Sequence, residues 1–217
     1  MNMDAPRRTG DSSGLVAGRH RALAPFTNPF TPWSPFLLAA TSVLAMPVAG
    51  AADPAPPSIN PVIAEYGAVV PLPGAAAQPR DGSKICVDLT AGGDRERLNP
   101  AIEKLARYVN LYAGAGTSPA TVEIAVVIHG EATLDILDDA AYATAFGVTG
   151  NPNVECLRRL KAAGVRFLVC GQSLHGKGAD PRQIASIDGE PVAELAVSAL
   201  TAIVNRQADG YAMVPLH

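Results

Sequence analysis

The chain has 217 residues, a formal net charge of −3 at pH 7, and only 5% aromatic residues. No basic run occurs and no aromatic residues alternate with Lys or Arg, so the sequence does not read as a nucleic-acid binder. The length fits one domain plus extensions, and the core must rest on Val, Ile, Leu and Ala.

Residues 1–52 read as a leader outside the fold. Arg7, Arg8, Arg19, His20 and Arg21 make a basic, Pro-broken start, and Phe36 to Val48 is an uncharged apolar run. That run has the length of a signal-peptide core and is short for a membrane span. The small residues Ala49, Gly50, Ala51 and Ala52 follow as a cleavage region. Export to the periplasm is therefore expected, with no stable membrane span after cleavage. Removing the leader leaves thirteen basic and eighteen acidic residues, a net charge of −5. All three cysteines (Cys86, Cys156 and Cys170) remain. An odd number in an oxidising compartment leaves one thiol unpaired within the chain, and three are too few for a disulfide scaffold.

Residues 53–82 are rich in Pro and Ala. Within them INPVIAEYGAVVPLP is apolar enough to be read as an extended arm on the domain or on a neighbouring subunit, with a free linker as the alternative. The compact domain is expected over residues 83–217. KICVDLT (Lys84 to Thr90) predicts a strand with Cys86 in its core. Asn99-Pro100 predicts a helix start, with Ile102, Leu105, Val109 and Tyr112 at helical spacing. Ile124 to Ile128 is an unbroken β-branched run, a central strand that ends in His129-Gly130. EATLDILDDAAYATAF has a helical pattern. VECLRRLKAAG predicts a helix stopped by Gly164, with Cys156 a candidate for partial exposure.

Val165 to Val169 predicts a second buried strand, ending in Cys170 and followed by a loose, glycine-bearing turn, Gly171 to Gly178. Val192 to Val197 fits either a strand or the first turns of a helix. SALTAIVNRQADG reads as a helix capped by Ser198, and YAMVPL as a last strand. Strands alternating with helices imply an α/β fold: a mostly parallel sheet of about five strands in three layers, with helices on both faces.

The chemistry concentrates at two strand ends. In open α/β sheets, sites collect at the carboxyl ends of strands. If the strands ending in His129 and Cys170 are parallel, both residues emerge at one edge. A cysteine at a strand end, ahead of a helix or turn, is placed for thiolate stabilisation by backbone N–H groups. The amides and side chains of Gly171, Gln172 and Ser173, and the His175 ring, are the candidate contacts for a bound substrate. A small buried residue closing a strand is the competing reading of Cys170.

Other chemistries fail on spacing. His129-Gly130-Glu131 resembles half of a zinc-deaminase motif, but the P-C-x-x-C half is absent. No C-x-x-C pair, phosphate-binding glycine loop or G-x-S-x-G motif occurs, so no redox dithiol, nucleotide or other cofactor is implied, and a looser metal site from His129, Cys170 and His175 is the remaining alternative to a metal-free site.

VVIHG (Val126 to Gly130), the turn Asn151 to Asn153, VCGQSL (Val169 to Leu174) and SALTAIVNRQADGYAMVPL (Ser198 to Leu216) resemble the DsrE/DsrF-like family. The resemblance covers about Ser83 to Leu216. It implies a compact α/β fold with a mostly parallel sheet, assembled as homo-trimers or hexamers. It also implies a sulfur-relay cysteine that accepts sulfane sulfur as a persulfide, matched by Cys170. The family's relay motif continues with an alanine-rich helix and an Arg-Gly pair, where this chain has Gly-Gln-Ser-Leu-His-Gly-Lys-Gly. The function expected is an exported sulfur carrier or sulfurtransferase working through Cys170 and His129. Its partner would be a sulfur-donating or sulfur-accepting protein or a small sulfane-sulfur compound. A non-enzymatic small-ligand or thiol-binding sensor module of the same fold is the alternative.

Overall fold

The computed structural model describes residues 56–116 and 121–216, all within one compact unit, Ala52–His217. The basic start and the apolar run Phe36 to Val48 lie outside the described residues.

The elements follow in the order β1 (Lys84–Leu89), α1 (Pro100–Gly114), β2 (Glu123–Ile128), α2 (Asp139–Phe146), α3 (Val154–Ala162), β3 (Arg166–Cys170) and α4 (Gly171–Gly176). They continue with β4 (Ser186–Ile187), β5 (Glu190–Pro191), β6 (Ala193–Ala196), α5 (Ala199–Ala208) and β7 (Ala212–Leu216). Five strands form one sheet in the order β6-β3-β2-β1-β7, every neighbouring pair parallel. The two-residue strands β4 and β5 pair as a separate hairpin. Pro215 lies in β7, an edge strand, where a missing N–H costs no ladder bond.

Strand alternation divides the core in two. Val87, Leu89, Val126, Ile128, Phe167 and Val169 point to one face and pack against Ile102, Leu105 and Val109 of α1 and Leu157 and Leu160 of α3. Fully burying each such aliphatic side chain contributes about 1.5–3 kcal/mol, so this face supplies most of the fold's driving force. Cys86, Ala125, Val127 and Cys170 point to the other face, under Ala199, Ala202 and Ile203 of α5. Helices thus cover both faces of a parallel sheet. The smaller side chains of the second face let α5 lie close to it.

Two local structures depart from the sequence reading, and a third segment resolves an ambiguity in it. The run Glu131 to Phe146 is not one helix. Gly130–Ile136 forms a 3-10 segment, and α2 starts afresh at Asp139. The Asp138 side chain accepts the Ala141 N–H at 2.7 Å, which makes Asp138 a helix cap inside an apolar run. Asn151 Nδ2 also donates to the carbonyls of Asp135 and Leu137, taking acceptors that a continuous helix would use. The stretch after Cys170 is not a loose turn, because its first six residues form α4 directly at the strand end. The ambiguous segment Val192 to Val197 resolves to β6, whose Ala193–Ala196 pair with Phe167–Cys170.

The segment ahead of β1 packs on its own chain. Ile63 and Val69 are buried. Asn110 of α1 accepts the Ile63 N–H at 2.8 Å and donates to the carbonyls of Tyr66 and Gly67 at 2.9 and 3.1 Å. Gly67 has φ +60°, and a Cβ there would lie 2.2 Å from the Arg107 nitrogen. This close approach requires glycine. Arg159 of α3 adds an ion pair to Glu65 at 2.9 Å.

Candidate functional site

Cys170 ends β3 and at the same time caps α4. Its Sγ accepts the Ser173 N–H at 3.4 Å. The Ser173 hydroxyl and the Gln172 and Ala199 amides also favour its anionic form. Ala199 begins α5, where Ser198 caps the Thr201 N–H at 3.0 Å and leaves the Ala199 N–H without an intrahelical partner. The sulfur therefore lies between the first turns of two helices.

Burial pushes the thiol up, but these donors outweigh it, and the Cys170 thiol lies below its ordinary value. The residue is 5% exposed, whereas Cys86 and Cys156 are 0% exposed. Gly171 makes this geometry possible, since a Cβ there would lie 3.0 Å from the Ala196 carbonyl oxygen. The Gln172 side chain donates to the Val197 carbonyl at 3.2 Å and ties α4 to the β6–α5 turn. His175 is exposed at the end of α4. It borders a groove of about 410 Å³ with Gly171, Leu174, Asp180 and Leu195.

His129 follows β2, one register step beyond the Ile128–Val169 pair, so it stands level with Cys170 on the adjacent strand. Its Nε2 lies 2.7 Å from Oδ1 of Asp88 on β1, and the two side chains are 28% and 22% exposed. Alternation puts Asp88, His129 and Cys170 on the same sheet face across three neighbouring strands. The backbone there is fixed. The His129 N–H bonds to the Leu89 carbonyl, and the Thr90 carbonyl takes the next two turn amides, those of Glu131 and Ala132.

The other two thiols play no part in this edge. Cys86 is fully buried in β1, and burial raises its thiol. Cys156, a candidate for partial exposure on sequence grounds, is fully buried under the opposite sheet face, and its thiol is pushed up to about 12, mainly by burial. The helix stripe that buries Leu157 and Leu160 takes Cys156 in with them. Cys86 and Cys170 are two strands and four residues apart along the sheet, about 16 Å by ordinary strand spacings. That is too far for a disulfide, and all three cysteines are free.

A second polar cluster sits beside the β1–α1 loop. Asp135 is buried, accepts from Asn99 Nδ2 at 2.7 Å and pairs with Arg95 at 3.3 Å. Burial raises its carboxyl to about 6, against the pull of Asn99 and Arg95. Asn153 and Asn151 complete the network. Among the described residues, no three His, Cys, Asp or Glu side chains are grouped to hold a metal ion.

Sequence reasoning reached Cys170, His129, Gly171, Gln172 and Ser173, and the structure places all five at one sheet edge. It did not reach Asp88 or Ala199. Asp88 had a legible signal, an acid inside an apolar strand that needs a partner. The Ala199 donor depends on where α5 docks, which no local pattern encodes.

Among the described residues, a five-stranded parallel α/β sheet carries at its carboxyl edge a cysteine whose thiol lies below its ordinary value. The family model of the DsrE/DsrF-like family matches residues 84–216, and the chain belongs to that family. No curated protein matches the sequence. Among solved structures, the chain is similar to a protein of unknown function, MTH1491 from Methanobacterium thermoautotrophicum. The match has 20% identity and a TM-score of 0.43, and covers 62% of this chain and 99% of that one. Membership of the family points to a role connected with sulfur relay.

Proposed function

We propose that this protein carries sulfane sulfur as a persulfide on Cys170, taking it from one thiol or polysulfide and passing it to another. The observation that carries this reading is the place of Cys170 Sγ, at the carboxyl edge of the sheet, accepting the Ser173 N–H at 3.4 Å with the Ser173 hydroxyl and the Gln172 and Ala199 amides favouring its thiolate. A thiolate is the attacking species in sulfur exchange, and N–H donors that favour it also suit the anionic persulfide that follows. Gly171, Gln172 and Ser173 form the cradle, and His175 borders the approach. Family membership supports the sulfur chemistry, and the leader supports a periplasmic setting.

Assembly into a homo-oligomer fits the surface. Leu195, Val197, Leu200 and Val204 are exposed in β6 and α5 and in the turn between them, beside the cradle. Among the described residues, no helix is long and apolar enough to cross a membrane.

The test is intact mass after incubation with polysulfide. The expected result is addition in steps of about 32 Da, one sulfur atom each, removed by dithiothreitol and absent in Cys170→Ser. No addition, or addition that survives Cys170→Ser, overturns the reading.

A further inference from the structure

The donors around Cys170 activate the attacking sulfur but do nothing for the sulfur that leaves. In sulfur exchange, the leaving thiolate's basicity also controls the rate, a less basic thiolate leaving faster. His129 makes no hydrogen bond to Cys170 Sγ, and Sγ already has its donors. The ring instead stands level with Cys170 on the next strand, on the same face, with its Nε2 2.7 Å from Asp88 Oδ1. The next acid along, Glu131, faces Lys177 at 2.9 Å and Arg95 at 3.7 Å. Asp88 is therefore the carboxylate that orients the ring. The carboxylate accepts the Nε2–H, so the proton free to move is the one on Nδ1.

We infer that His129, held in place by Asp88, is the general acid that protonates the thiolate expelled when Cys170 attacks. The inference rests on the sulfur-exchange reading of Cys170. With a persulfide donor R–S–SH, the Cys170 thiolate forms a bond to the terminal sulfur as the donor's S–S bond breaks. The departing RS⁻ takes the Nδ1 proton of the His129 imidazolium and leaves as RSH. Cys170 then carries –S–SH, and His129 is neutral with its Nε2–H still on Asp88. No oxidant or reductant enters. His129 touches the leaving group, whereas Asp88 is a positioning residue that acts through it.

The test uses two simple disulfides on the full chain, with Cys170 followed by peptide mass. Cystamine expels a basic alkyl thiolate that needs a proton. 2,2′-Dithiodipyridine expels a stabilised thiolate that does not. His129→Gln is expected to slow the cystamine reaction on the order of 10²-fold, the lower end of general-acid effects, and Asp88→Asn roughly tenfold, with Asp88→Glu recovering part of the loss. The dithiodipyridine rate, and alkylation by iodoacetamide, stay within about threefold of the parent in all three variants, because neither needs an acid.

Equal losses with both disulfides, or no loss with cystamine, overturn the inference. This outcome is separable from the persulfide reading. If polysulfide adds no mass while the leaving-group contrast holds, the sulfur-carrier reading falls and the acid stands. If mass is added while the contrast is absent, the reverse is true.

Discussion

At the residue scale, the account depends on three thiols with different surroundings. Cys86 and Cys156 are fully buried with raised thiols, whereas the Cys170 thiol is lowered and the residue is 5% exposed. Limited iodoacetamide in native buffer is expected to label Cys170, and to label the other two only after denaturation; peptide mapping reads this directly. Removing one donor has a bounded effect. Ser173→Ala deletes the hydroxyl but keeps the amide, and one hydrogen bond contributes about 0.5–1.5 kcal/mol. The Cys170 alkylation rate near neutral pH should fall by roughly two- to tenfold, and an unchanged rate would show that the hydroxyl does not support the thiolate. The sequence made Cys170 legible because an apolar run stopped at it, and His129 because another did. It did not show which atoms reach the sulfur. Three of the four groups that favour its thiolate come from residues two and three positions on, but the Ala199 amide arrives from 29 positions away through the docking of α5.

At the scale of elements, the strands and long helices were legible because their hydrophobic period is strong. The sheet's two-sided burial was readable in EIAVVI, and the α1 start in Asn99-Pro100. What local pattern could not give was competition for backbone groups. Asp138 stops one helix and starts another, and Asn151 takes carbonyls that the pattern had assigned to that helix. Asp138→Ala should therefore cost about 1 kcal/mol, the usual value of a lost helix cap, read as a lower denaturant midpoint with an unchanged slope. The arm is a second case. Asn110 is fully buried and holds the turn at Ile63 to Gly67. Asn110→Ala leaves several backbone groups unpaired at about 1–3 kcal/mol each, so urea unfolding should show a large loss of stability. Limited proteolysis should cut between residues 60 and 80 before the sheet. Resistance of that stretch in Asn110→Ala would contradict the pinning.

At the scale of the whole molecule, charge and surface decide behaviour. Asp135 keeps its proton in the folded state up to about pH 6, while in the unfolded chain it loses it near pH 4. Between those values the folded state binds more protons, so this group makes stability fall as pH rises through the window, by about 3 kcal/mol at most. Asp135→Asn should flatten that slope between pH 4 and 6 in urea titrations; an unaltered slope would place the effect elsewhere. The exposed residues of β6 and α5 are the face proposed for assembly. Leu200→Glu with Val204→Glu should lower the mass found by analytical ultracentrifugation while leaving the circular dichroism spectrum intact. An unchanged mass would contradict assembly through this face. The α/β class and the family were legible from the order of elements and from VCGQSL. The exposed apolar face of α5 was not, because side chains exposed at α5 and buried at α1 have the same helical spacing.

The central claim is that Cys170 is a reachable thiol already biased toward the thiolate. The measurement that meets it most directly is the rate of Cys170 alkylation as a function of pH, followed by mass on the Cys170 peptide in the folded protein. The account predicts a single rise with a midpoint below that of an ordinary cysteine, about 8.5, and a shift upward in Ser173→Ala. A midpoint at or above the ordinary value, or no reaction until the protein unfolds, would contradict it.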